Sequence, residues 1–142
     1  MTPVHQFLSA YRAAVLAKDV EAFAALYDEE VQIFDMWGNW SLQGIDAWRG
    51  MAEEWFASLG DETVVVDQHE VSSTETADLT LGTAILTYTA RSAAGETLRS
   101  LSNRITVVLR RQREGWCAIH EHTSAPIQHQ TTKAILAYKP ED

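Results

Sequence analysis

Apolar residues recur at helical spacing in roughly the first 60 positions and at alternating spacing in most of the rest. Val4, Phe7, Leu8, Tyr11 and Val15 fall on one face of a helix. Thr2 stands where a cap is needed and Pro3 at the first helical position. Asp19 can cap a second, short helix with Val20, Phe23, Ala24 and Tyr27 on its inner side. Residues 31–36 read as a strand, Gly38-Asn39 turns the chain, and residues 40–42 pair back briefly. Gly44 leads into a third helix, in which Ile45, Trp48, Ala52, Trp55, Phe56 and Leu59 share a side and which Gly60 ends.

Beyond Gly60 the texture is β, with strands predicted over residues 63–71, 77–90, 97–110 and 116–124. Short polar or Gly-bearing separators imply consecutive antiparallel hairpins. Helices first and strands last imply an α+β fold, with three N-terminal helices packed on one face of a bent, mostly antiparallel sheet. The chain has the length of one domain, 1–142, and shows no repeat or linker. Pro126 stops the last strand, and the tail after it is weakly patterned.

Alternation assigns faces. Leu101, Asn103, Ile105, Val107 and Leu109 share one side of the third long strand and are expected to face the helices. Asn103 is the polar exception, and a buried amide needs partners from protein, water or ligand. In the last strand Cys117, Ile119, Glu121 and Thr123 alternate with Trp116, Ala118, His120, His122 and Ser124. The reading places Ile119 and Glu121 inward. It leaves Val108, Trp116 and Ala118 on an open sheet face suited to a two-fold homodimer.

A hydrophobic content of 46% suffices for a core, and a single cysteine, Cys117, excludes an internal disulfide and fits a cytoplasmic location. The N-terminus lacks a basic segment followed by an apolar run, so no signal peptide is expected, and no run is long enough to span a membrane. A net charge of −9 repels phosphate backbones and anionic lipid, which argues against nucleic-acid or membrane-surface partners. Arg110, Arg111 and Arg113 read as a solvated hairpin tip.

Asp35 sits among Phe34, Met36, Trp37 and Trp40. In apolar company a carboxyl loses hydration and its pKa climbs toward the range useful for moving protons. The plainer role is to end an edge strand and cap the turn at Gly38-Asn39. Trp37 and Trp40 flank that turn and could wall a pocket for a flat organic ligand. His120 and His122 share a strand face, but no spacing supplies the third ligand that zinc needs, so no metal and no cofactor are expected. Phosphate loops, nucleophile elbows and metalloprotease motifs are absent.

The closing run from Gly115 to Pro126, with Trp116 near its start and His122-Thr123-Ser124 near its end, resembles the last strand of the nuclear transport factor 2-like superfamily. Its SnoaL-like (polyketide-cyclase-like) and ketosteroid-isomerase-like branches are the nearest in element order. The resemblance implies a cone-shaped fold with a strongly bent sheet. Ketosteroid isomerases carry a helix-1 Tyr eight residues before a turn Asp, and an Asp base nine residues before the Gly that opens the third helix. Here Tyr11 stands eight before Asp19, and Asp35 nine before Gly44. The later-strand Asp that those enzymes keep protonated is matched by Asn103, and the Pro after their base by Met36. The resemblance therefore implies Asp35 as a base, with Tyr11 and Asn103 as donors to an enolate oxygen. Trp37, Trp40, Phe56, Ile105, Ile119 and Glu121 would line the site. Two readings stay open: a cofactor-free isomerase-, cyclase- or dehydratase-type enzyme acting on a small apolar compound, and a non-catalytic ligand-binding or self-associating module.

Overall fold

The computed structural model describes residues 1–112 and 115–140. Three helices come first: α1 (Pro3–Ala17), α2 (Val20–Ala24) and, after two strands, α3 (Ile45–Ser58). The strands are β1 (Tyr27–Phe34), β2 (Leu42–Gln43), β3 (Thr63–Glu75), β4 (Leu79–Arg91), β5 (Thr97–Gln112) and β6 (Gly115–Ser124). Both expected caps form. The Thr2 hydroxyl accepts from the His5 N–H, and the Asp19 carboxylate from the Ala22 N–H. Tyr27, read from sequence as the last inward residue of the second helix, instead opens β1.

The six strands form one sheet in the order β2-β1-β6-β5-β4-β3. The long strands pair as antiparallel neighbours, as the short separators require. β1 joins β6 in parallel, which makes the sheet mixed. That pairing joins the first strand to the last, so no local hairpin signal announces it.

One face of the sheet carries the helices and the core. Phe23 of α2 is fully buried and touches four other rings. Its centroid lies 5.6 Å from Tyr11, 5.3 Å from Tyr27, 5.8 Å from Trp48 and 5.9 Å from Phe56. Tilted and edge-on rings at these separations add attraction beyond area burial. Asn103, Ile105, Val107 and Leu109 all point into this layer.

β6 departs from simple alternation. Val108 pairs with His120 but Leu109 pairs with Ala118, so Ile119 is an extra, unpaired residue. A bulge of this kind shifts the phase of every side chain before it relative to those after it. Ala118 therefore turns inward and is fully buried, on the same side as Glu121 and Thr123, and Ile119 leaves the inner face. Of the three residues expected on the open face, Val108 alone lies there. Trp116 packs against the core, with the Arg111 guanidinium 4.8 Å above its ring. Arg111 also donates to the Ala77 carbonyl, while Arg113 lies outside the described residues.

The tail after Pro126 is tied down. Ile127 bridges Ala134, and the Leu136 carbonyl accepts from the Ser102 N–H at 2.7 Å, on a part of β5 that β6 does not reach. The Tyr138 ring then lies tilted against His69, and its hydroxyl bonds Glu70 of β3. Among the described residues no helix is long and apolar enough to cross a membrane.

α1 rests on β4 at Gly82. A methyl group there would come within 2.5 and 2.8 Å of the two Val4 methyls, and Val4 is itself fully enclosed. Gly82→Ala is expected to cost about 1–3 kcal/mol by overpacking. Combining it with Val4→Ala should recover part of that loss. Urea unfolding of the two single variants and the double variant measures the coupling.

Candidate active site

Asp35 follows β1 directly, where the strand ends beside Thr123 of β6. The Thr123 hydroxyl donates to Asp35 Oδ1 at 3.0 Å and accepts from the Met36 N–H at 2.9 Å. Partial burial pushes the Asp35 pKa up. Hydrogen bonds from Thr123 and from the Trp37 and Met36 backbone oppose that rise. Among the described residues Asp35 is thus held by neutral donors and faces no cation.

Glu121, on the same strand face as Thr123, is 1% exposed. Its Oε1 accepts from the Tyr27 hydroxyl at 2.6 Å. Burial, helped by the nearby Asp35 charge, raises its pKa to about 7 against the pull of the Tyr27 bond.

The hydroxyls of Tyr11 and Tyr88 lie 2.9 Å apart. Burial raises the pKa of each, so both stay protonated, and the pair holds two protons of which its mutual bond uses one. The Asn103 amide nitrogen lies 3.6 Å from the Met36 sulfur, a weak acceptor, and its Oδ1 has no partner among the described residues. Asp35, Thr123, Glu121, Tyr11, Tyr88 and Asn103 line one cavity of about 630 Å³ between α1, α3 and the inner sheet face. Trp48, Met51, Trp55 and Leu101 form its apolar body, and Arg99, paired with Glu62 at 2.6 Å, stands on its wall.

The cavity brings together Asp35, Tyr11, Asn103, Trp37 and Glu121 from the expected set. It leaves out four others. Phe56 packs on Phe23, and Ile105 is buried in the core beneath the sheet face. Ile119 is displaced by the bulge, and Trp40 is 98% exposed at the turn. Tyr88 and Thr123, which also line it, were missed, and so was Tyr27, which bonds Glu121 from outside the lining. Tyr88 could have been found as the one aromatic at the inward phase of its Thr-rich strand. His120 and His122 flank the Phe34 ring at 5.0 and 5.6 Å, and no group of three or more metal-ligating side chains occurs among the described residues.

The buried acid has a cost that depends on pH. Folded Glu121 keeps its proton up to about pH 7, whereas the unfolded chain loses it near 4.5. Between those values the folded state binds more protons, so rising pH erodes stability, and above the folded pKa the loss is complete. Glu121→Gln stays neutral throughout. Its stability relative to the wild type should therefore rise by about 3 kcal/mol between pH 4 and pH 9, read from urea unfolding at both.

Comparison with known proteins is consistent with this architecture. A structure of a nuclear transport factor 2-like (NTF2-like) protein of unknown function from Pseudomonas putida superposes with a TM-score of 0.82 at 26% identity, over 96% of this chain and 94% of that one. Aln2 from a Streptomyces species gives a TM-score of 0.74 at 16% identity, over 86% and 87%. A protein of unknown function with a cystatin-like fold from Nostoc punctiforme gives 0.69 at 14% identity, over 86% and 87%. At the two lower identities the likeness is one of fold. No curated protein matches the chain. The sequence model of the SnoaL-like domain matches residues 4–128, and the chain belongs to that family.

Proposed function

We propose that this protein is a cofactor-free enzyme that moves a proton at a carbon next to a carbonyl in a small, largely apolar organic compound. Asp35 is the base. The free proton of the Tyr11–Tyr88 pair and the Asn103 amide donate to the oxygen on which negative charge develops. The observation that carries this reading is the convergence of two neutral donor groups and a carboxylate, with no cationic partner among the described residues, on one mostly apolar cavity. Trp37, half exposed at the rim, supplies a flat surface for an aromatic ligand. Pairing of two copies through the outer sheet face is proposed alongside it, on narrower ground than the sequence suggested. Val108 on β5 pairs with Leu81 on β4, and Leu79 and Leu81 are 43% and 44% exposed.

The test is α-proton exchange of 4-(2-naphthyl)butan-2-one in D2O, followed by NMR. Wild-type protein should exchange the protons beside the carbonyl, and Asp35→Asn should lower the rate by about 100-fold or more. The base must be ionised, so the rate should climb with pH through a pKa above the ordinary 3.8 of an aspartate. Equal exchange by Asp35→Asn would remove Asp35 from the mechanism, and no exchange by the wild type would leave a cavity that binds without turning over. For the pairing, sedimentation at micromolar concentration should show a dimer that Leu81→Glu dissociates; a wild-type monomer removes it.

A further inference from the structure

The cavity has two polar ends, and the reading above uses one. Three cross-strand pairs run along its inner sheet face: Asn103 with Leu86, Leu101 with Tyr88, and Arg99 with Ala90. Asn103 stands at the end that holds Asp35. Arg99 stands four residues back along β5 on the same face, and four residues of strand cover roughly 13 Å. Between the two ends, Leu101 lies on the sheet side and Met51 and Trp55 on the α3 side. The middle is therefore apolar and the far end charged.

Among the described residues Arg99 is the one cation that lines the cavity. Its Nη2 donates to Glu62 Oε1 at 2.6 Å, and its other N–H groups have no partner among the described residues. A guanidinium carries its N–H donors in a planar fork that fits a carboxylate, so most of the fork stays open. Glu62 does not depend on Arg99 alone. The Arg99 bond holds the Glu62 carboxyl below the usual range, and the Lys18 charge adds to that. Lys18 Nζ itself donates to the Glu62 backbone carbonyl at 2.9 Å. Two cations thus share one carboxylate here, against the trend of a chain whose net charge is −9. Glu54 of α3 also lines the cavity and is the charge that would favour a cationic ligand instead.

We propose that Arg99 is a specificity-determining residue: the ligand is a flat aromatic ketone whose far end carries a carboxylate, and that carboxylate takes the open fork of the Arg99 guanidinium. This rests on the proton-transfer reading, which sets the ketone at the Asp35 end. A two-ring body with a four-carbon ketone arm and a distal carboxylate spans about 12 Å by ordinary bond lengths, close to the strand distance between Asn103 and Arg99. The acid takes Arg99 from Glu62, which keeps Lys18 and its access to water. An anion bound there fixes which end of the ligand enters first and holds the ketone at the base.

The probes are 6-(3-oxobutyl)naphthalene-2-carboxylate, its methyl ester, and the analogue with an aminomethyl group in place of the carboxylate. Calorimetry at low and high salt gives their affinities. Wild-type protein should bind the carboxylate about 10-fold more tightly than the ester, and salt should narrow the gap. Arg99→Met should bring that ratio to about one. Glu62→Gln removes the competing charge and keeps the shape, so it should raise the ratio. Thermal unfolding of each variant reports that the fold is kept. A wild-type ratio near one, an unchanged ratio in Arg99→Met, a lower ratio in Glu62→Gln, or a preference for the ammonium analogue overturns the proposal. α-Proton exchange of the ester and the carboxylate, followed by NMR, separates it from the reading beneath it. Exchange without a carboxylate preference overturns the Arg99 subsite alone. A preference that Arg99→Met abolishes, with no exchange of either probe, overturns the proton transfer alone. No binding of any probe overturns both.

Discussion

Ile119, the unpaired residue in β6, sets which side chains the cavity receives. Without the bulge, β6 would keep one phase along its length. Either Ala118 or Glu121 would then have to face away from the helices. The extra residue allows the small Ala118 to fill the tight core while Glu121 and Thr123 turn toward the cavity further along. The Tyr27–Glu121 bond depends on the same shift, because Tyr27 enters from β1, which lies beside β6. Asp35 depends on it too, through Thr123.

The cavity combines an apolar body with a polar end where every polar group is neutral or a lone carboxylate. Tyr11 and Tyr88 stay phenols because burial makes a buried phenolate too costly. Glu121 is pushed toward neutrality by the same cause and by the charge of Asp35. Among the described residues no arginine or lysine enters this end, and Arg99 is paired with Glu62 on another part of the wall. Charge created on a ligand there would be met by oriented dipoles rather than by a counter-ion, the arrangement in which preorganised donors act most strongly.

The helices were legible because each has a wide apolar stripe and a physical start signal in Thr2, Asp19 or Gly44. The long hairpins were legible because their separators are short and polar. The parallel contact between β1 and β6 was not, since it joins segments about 90 residues apart with no connecting motif. At the site, Asp35 and Tyr11 could be picked out by spacing, and Asn103 as the polar residue in an inward apolar row. Phe56 and Ile105 show the limit of that method. A periodic pattern separates inside from outside but not core from cavity wall. Trp40 shows another, because an aromatic beside a turn carries no mark of which way the turn tips.

β5 runs past the end of β6, so its first residues carry backbone groups that β6 does not pair. The Leu136 carbonyl occupies one of them, at Ser102, and Tyr138 carries the tail on toward β3. An open strand edge is a template on which another chain can add itself. The tail thus acts as a selvedge, finishing the sheet at a margin where it could otherwise grow. A fragment ending at Pro126 would keep the cavity lining intact and still be prone to join with its neighbours edge to edge.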